Sequence, residues 1–303
     1  MWFRTDERAP DFYIEGVQIH AGLKMVSVKE LDRNELLFSL PMELRESLAA
    51  RLEPLSLSDG QIFREIGARS ADVIFPLSCI VSMDYVLKDS FSAEFLIVGS
   101  EGVIGLESLF DQRPGPVRMV ALQGGTALRI DKDELRRRFL DVQAIQQSVF
   151  QYTFSQIRLM AQTITCNCRH RLDQRMCRWI LSVQDRSPSR VIKITHEMMS
   201  HFLGVRREAV TNTVGRLQRD GMVEYSRGYL TVLNRDMLES EACECYQAGL
   251  EVVSLRRMNG QYPRRSCEQA TLETTCWNRS TSSPETSTGT PRSRSIHSIG
   301  SRR

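Results

Sequence analysis

The chain has 303 residues, 41% hydrophobic and 25% charged, a composition that suits a globular protein of about two domains. It contains no apolar run approaching the roughly 18 residues of a membrane-spanning helix. Its first residues, Met1 to Arg8, carry charges where an export signal needs an apolar stretch, so a cytoplasmic location with no membrane partner is expected. The net charge of +3 hides an asymmetry. Residues 31–141 carry 13 basic and 18 acidic side chains, net −5, whereas residues 169–235 carry 13 and 6, net +7. Such a division points to a polyanion partner for the later segment.

Residues 1–30 show no strong period and read as an extension. In 31–52 the apolar residues Leu36, Leu37, Leu40, Leu44, Leu48 and Leu52 form one helical stripe, with Pro41 suited to the first turn of a second helix. From Pro54 to Ile130 the pattern becomes short apolar runs (Ile62-Phe63, Val73 to Phe75, Ile80-Val81, Phe95 to Val98, Val117 to Leu122, Ala127-Leu128) separated by glycine, proline and aspartate. Many short strands at this spacing predict a β-sandwich or jelly-roll barrel over residues 31–138. Helical periodicity then returns. Val142, Ile145, Val149, Tyr152, Gln156, Leu159, Thr163 and Cys166 follow steps of three and four, with no proline or glycine from Phe139 to Cys166. A helix of roughly 28 residues would span about 42 Å, which predicts a dimerisation helix over 139–168. The last 25 residues, Arg279 to Arg303, include 8 Ser and 4 Thr, so 247–303 reads as a disordered low-complexity tail.

The strongest local pattern is Thr195 to Leu217. It divides into two short helices about Gly204, which can take the left-handed conformation of a tight turn. Val205, Val210, Val214 and Leu217 mark the buried stripe of the second helix, and Arg206, Arg207, Glu208, Thr211 and Asn212 point outward. This predicts a helix-turn-helix. Arg suits guanine O6 and N7, Glu cytosine N4 and Asn adenine. Met222 to Ser226 and Tyr229 to Leu233 read as two strands joined at Arg227-Gly228, a hairpin wing with Arg227 placed to meet a phosphate. The winged helix is assigned to 169–246 and the whole fold to the α+β class.

A barrel, a long helix and a winged helix-turn-helix in that order resemble the Crp/Fnr superfamily of bacterial transcription regulators, over roughly residues 34–246. Gly204 to Val210 is similar to the start of the family's recognition helix. By that resemblance Arg207, Glu208 and Asn212 fall where the family reads bases, and Arg206 where it holds a phosphate. Cys166, Asn167, His170, Gln174, Arg175, Arg178 and Trp179, with Ala242 to Tyr246, resemble a branch whose effector is generally unassigned. The resemblance implies a sequence-specific regulator that is not an enzyme. Its partners would be double-stranded DNA with a palindromic operator, a second copy of the chain, and RNA polymerase. The alternative is a ligand-sensing or scaffold module whose helix-turn-helix contacts proteins.

The effector region departs from the family. Gly102, Gly105, Leu106, Glu107 and Arg118 are the candidates for an effector pocket. Cyclic-nucleotide-binding relatives place a Glu where this chain has Leu106. Glu107, one position on, should face the other way along a strand. The family's Arg-Ser region reads Pro114-Gly115-Pro116-Val117-Arg118 here, with an apolar Val that cannot solvate a phosphate and Arg118 out of register. An anion buried without its partner is expensive, so no cyclic nucleotide is expected. An iron–sulfur cluster is not expected either, because the first cysteine is Cys79 and the cysteines that precede the barrel in iron–sulfur members are missing. On one helix Cys166 and Cys168 point about 200° apart, which leaves only Cys166 and His170 on a common face. Together with Cys243 and Cys245 they read as packed thiols, reduced in the cytoplasm, with no metal. His196 to His201 lacks the second histidine of an HExxH zinc helix, and residues 31–138 contain no histidine for a cupin-type metal enzyme.

Overall fold

The computed structural model describes residues 26–258, apart from 69–70, 89–90, 111–114 and 188. Three short helices, α1 (Val28–Leu31), α2 (Glu35–Phe38) and α3 (Met42–Ala49), lead into seven strands: β1 (Glu53–Leu57), β2 (Ile62–Arg64), β3 (Asp72–Pro76), β4 (Ile80–Val86), β5 (Ser92–Val98), β6 (Val117–Gln123) and β7 (Gly125–Asp131). They form two antiparallel sheets, in order β1-β7-β3 and β2-β6-β4-β5. The barrel core is Val73, Phe75, Leu109, Leu128 and Ile130 with Leu31, Leu37 and Leu48 of the leading helices. Buried Asn34 pins α2 in place. Its side-chain oxygen accepts from Leu36 N and Leu37 N, and its amide donates to Pro76 O at 2.9 Å and Gly102 O at 2.8 Å, so its polar groups are satisfied inside. Pro41 stands immediately before α3. The folded region starts earlier than the sequence pattern indicates, because Val26 is already buried in this core and Ser27 caps α1.

The long helix differs from expectation in two respects. Helix α4 (Lys132–Asp141) ends at Val142, whose extended backbone (φ −120°, ψ 107°) separates it from α5 (Gln143–Arg169). The break lets Phe139 of α4 and Ile145 and Val149 of α5 enter one core, with the Phe139 ring edge-on to Phe110 and Phe150. Helix α5 has 27 residues, about 40 Å. The stripe expected to face a second chain lies against its own chain instead: Ile145, Val149, Tyr152 and Cys166 are buried. A second stripe, Phe150, Phe154, Ile157, Ala161 and Ile164, again in steps of four and three, is exposed.

The C-terminal part comprises α6 (Leu172–Gln184), β8 (Val191–Lys193), α7 (His196–Leu203), α8 (Arg207–Arg219), β9 (Val223–Ser226), β10 (Tyr229–Val232), α9 (Arg235–Glu241) and α10 (Cys245–Met258). The sheet order is β8-β10-β9. Its core surrounds Trp179, Ile180, Met199, Val210, Val214, Leu230 and Leu238, and also takes in Ile80 and Leu122 of the barrel. Helix α10 extends the fold into the segment read as a tail; residues 259–303 lie outside the described residues.

Candidate nucleic-acid interface

The reading unit is built by caps and by one turn. Thr195 Oγ1 accepts from Met198 N at 3.1 Å and starts α7. Gly204 ends it in the left-handed region (φ 61°, ψ 45°), where a side chain would be strained. A Cβ there would also stand 3.2 Å from Phe91 Cζ of the barrel segment. Arg206 (φ −71°, ψ 145°) turns the chain into α8. Val210, Val214 and Leu217 face the core and hold the opposite face outward, so Arg206, Arg207, Glu208, Thr211 and Asn212 are all exposed. They share one helix end because residues three and four apart are neighbours.

Thr211 is engaged within the protein. Its hydroxyl donates to Arg207 O at 3.1 Å and lies 3.0 Å from His196 Nδ1. The His196 ring stacks on Tyr225 at 4.3 Å between centroids. Burial lowers the His196 pKa, and the Arg207 charge lowers it further, which favours the neutral ring. His196 is therefore a strut that joins α7, α8 and the wing, a role that its HExxH-like context does not suggest. The wing matches its sequence reading. Arg227 (φ 50°) and Gly228 (φ 84°) form a two-residue turn with both φ positive, as a tight hairpin requires. Arg227 is exposed at its tip. Sequence reasoning missed β8, which adds the third strand.

Not all of the positive charge faces outward. Arg216 and Arg171 pair with buried Asp173, whose carboxyl stays below its ordinary range because these charges outweigh burial, the largest single influence. Arg235 pairs with Asp185 at 2.6 Å, and Arg186 with Glu101 of the barrel at 2.6 Å.

Residues 174–241 match the Crp-like helix-turn-helix domain family. That segment carries α6, the helix-turn-helix and the wing. Among solved structures, a Crp/Fnr-family transcriptional regulator from Eubacterium rectale is similar at 17% identity, TM-score 0.57, over 69% of this chain and 98% of that one. A CRP/FNR-family regulator from Thermus thermophilus is similar at 20% identity, TM-score 0.52, over 63% and 98%. The c-di-GMP responsive global regulator CLP of Xanthomonas campestris is similar at 14% identity, TM-score 0.54, over 63% and 99%. At these identities the likeness establishes the fold. No curated protein matches the chain by sequence.

The barrel gives the effector-region candidates separate engagements and gathers them around no common cleft. Gly102 is packed beneath Tyr152, whose hydroxyl donates to Val103 O at 2.8 Å. Gly105 opens a 3-10 turn, Leu106–Leu109, so the expectation that Glu107 alternates along a strand is corrected. Glu107 lies on this turn, exposed and ion-paired with Arg64, while Leu106 packs against the barrel core. Arg118 reaches Asp84 Oδ2 at 3.2 Å. None of the five lines the cleft of about 450 Å³ walled by Glu94, Ile97, Arg178, Trp179, Arg186 and Tyr246. Near one end of that cleft the structure gathers Cys166, His170, Cys243 and Cys245. The helix-face argument for Cys166 and His170 does not anticipate this grouping. No helix among the described residues is long and apolar enough to cross a membrane.

Proposed function

We propose that the protein is a homodimeric, sequence-specific DNA-binding transcription regulator that reads a palindromic operator. The observation that carries the reading is the exposed polar end of α8 beside an exposed arginine at the wing tip. Arg207, Glu208 and Asn212 have the donor and acceptor chemistry for guanine, cytosine and adenine edges. Arg206 and Arg227 suit phosphates on either side. Thr211, tied to His196, fixes the helix surface between them. The exposed stripe from Phe150 to Ile164 supports the dimer, because a two-fold contact along α5 would cover it. Two reading heads on a two-fold would engage half-sites about 34 Å apart, with RNA polymerase as a further partner.

The barrel supports no cyclic-nucleotide step, since Arg118 and Glu107 are engaged by Asp84 and Arg64. A barrel effector of another kind would reach α7 through β5, where Ser92 Oγ lies 3.1 Å from His201 Nδ1.

The test is selection of bound duplexes from a random pool by the purified chain, followed by footprinting. A two-fold motif with half-sites one turn apart is expected. No enrichment, and no gel shift at low salt, would refute the reading in favour of a helix-turn-helix that contacts protein.

A further inference from the structure

We propose that Cys166, His170, Cys243 and Cys245 form a structural zinc(II) site that staples the end of α5 to the start of α10. The inference is independent of what α8 reads. Cys166 lies in the last turn of α5, and His170 follows that helix directly, one turn further on. Cys243 and Cys245 come from the tight connection between α9 and α10. One ligand atom from each lies within 4.8 Å of the others. Cys166 Sγ is 3.5 Å from Cys243 Sγ, and Cys245 Sγ is 3.6 Å from His170 Nδ1. A tetrahedral zinc with bonds of about 2.3 Å to sulfur and about 2.0 Å to nitrogen sets sulfur–sulfur edges near 3.8 Å and sulfur–nitrogen edges near 3.6 Å. These two edges, 3.5 and 3.6 Å, lie close to those of a zinc tetrahedron.

The surroundings agree. The three cysteines are buried in a cluster composed of themselves alone, an arrangement that fills little apolar volume. His170 turns Nδ1 inward, while its Nε2 lies 3.2 Å from the Glu244 carboxylate. This is the outer partner that holds a ligating imidazole in one orientation. Three thiolates and one neutral imidazole around zinc leave a net charge of −1, and the Arg178 guanidinium lies within electrostatic reach of Cys166 and Cys245. Three soft sulfurs with one imidazole in a tetrahedron select zinc among the common divalent ions. Binding releases the three thiol protons and changes no oxidation state. Cys168 is exposed on another face of α5 and is not a ligand.

The test uses the full chain, expressed with zinc and purified under reducing conditions. Elemental analysis should give about one zinc per chain. After metal removal, cobalt(II) should produce thiolate charge-transfer bands and the intense visible bands of a tetrahedral site. The double variant Cys243→Ser/Cys245→Ser should retain at most a tenth of the zinc, and Cys168→Ser all of it. Glu244→Gln keeps all four ligands and the exposed surface, so it should fold normally. In chelator competition it should bind zinc about 10- to 100-fold more weakly, which keeps the proposal testable if the double variant does not fold. Far less than one zinc in the parent with no cobalt bands, or undiminished zinc in the double variant, would overturn the proposal. So would a Cys166–Cys243 disulfide in the reduced-purified parent.

Discussion

Replacing Phe154 with alanine tests the proposed two-fold contact along α5. Phe154 is 63% exposed. A phenylalanine buries roughly 200 Å² when covered, so about 125 Å² of its ring stands open on each chain. Alanine would retain a small part of that burial. At about 25 cal/mol per Å², the truncation removes about 2.5 kcal/mol per chain and about 5 kcal/mol per symmetric pair. That corresponds to a dimer dissociation constant raised more than a thousandfold. Sedimentation equilibrium across a micromolar concentration series measures it directly. Val149→Ala is the matched control. Val149 is buried against its own barrel, so its truncation should lower the unfolding free energy by about 1–3 kcal/mol and leave association nearly unchanged. The reasoning fails if Phe154→Ala associates like the parent, or if Val149→Ala disrupts the dimer equally.

Three further outcomes are expected. Arg207→Ala should cost about 1–3 kcal/mol on the selected operator and relax the preference at one base pair per half-site; unchanged affinity and selectivity in gel shifts would remove Arg207 from the reading set. Arg227→Ala should weaken all sequences alike and reduce the slope of log K against log salt by about 0.9 per wing; a sequence-dependent loss would mean that the wing reads bases. Glu94 is wholly buried between the barrel and α6. Burial, aided by nearby Asp84, pushes its carboxyl up to about 8. The folded state therefore holds a proton that the unfolded chain releases near its ordinary value of 4.5, so stability should fall as pH rises between these values. Ser82 Oγ lies 2.6 Å from Asp84 Oδ1 and 2.9 Å from Glu94 Oε2. One hydroxyl can donate to only one of them, so a proton on Glu94 completes the chain. Glu94→Gln should flatten the pH dependence in denaturant melts at pH 5.5, 7 and 8.5; parallel curves for variant and parent would contradict this.

The parts of the fold with strong local signals were legible. Gly204 flanked by periodic helices, and Arg227-Gly228 between alternating strands, specify their turns within a few residues. Strand β1 was not, because Pro54 disguises its alternation and its partner is β7, far along the chain. β8 is only three residues long. The exposed α5 stripe was hidden by the other one: both faces of that helix carry apolar residues in the same period, and spacing alone does not say which face the barrel takes. The Cys166–Cys243 proximity joins residues 77 apart, and nothing local at either end announces it. Strand alternation does not extend to Glu107, because Gly105, in the left-handed region, starts a helical turn there.

The buried layer between barrel and winged helix is shared property. Ile80 and Leu122 lie in the same core as Trp179, Trp179 Nε1 donates to Glu94 Oε1 at 3.0 Å, and Arg186 clasps Glu101. The two halves are therefore not interchangeable modules. A reading head cut from this chain and grafted onto a foreign sensor would arrive with an indole donor stripped of its acceptor and an apolar face without its cover. The same holds in reverse for the barrel, which would keep Glu94 and Glu101 buried or half-buried without their guanidinium and indole partners. The barrel and the winged helix should melt as one cooperative body, and an exchange of either half with another protein would have to carry β5 and α6 together.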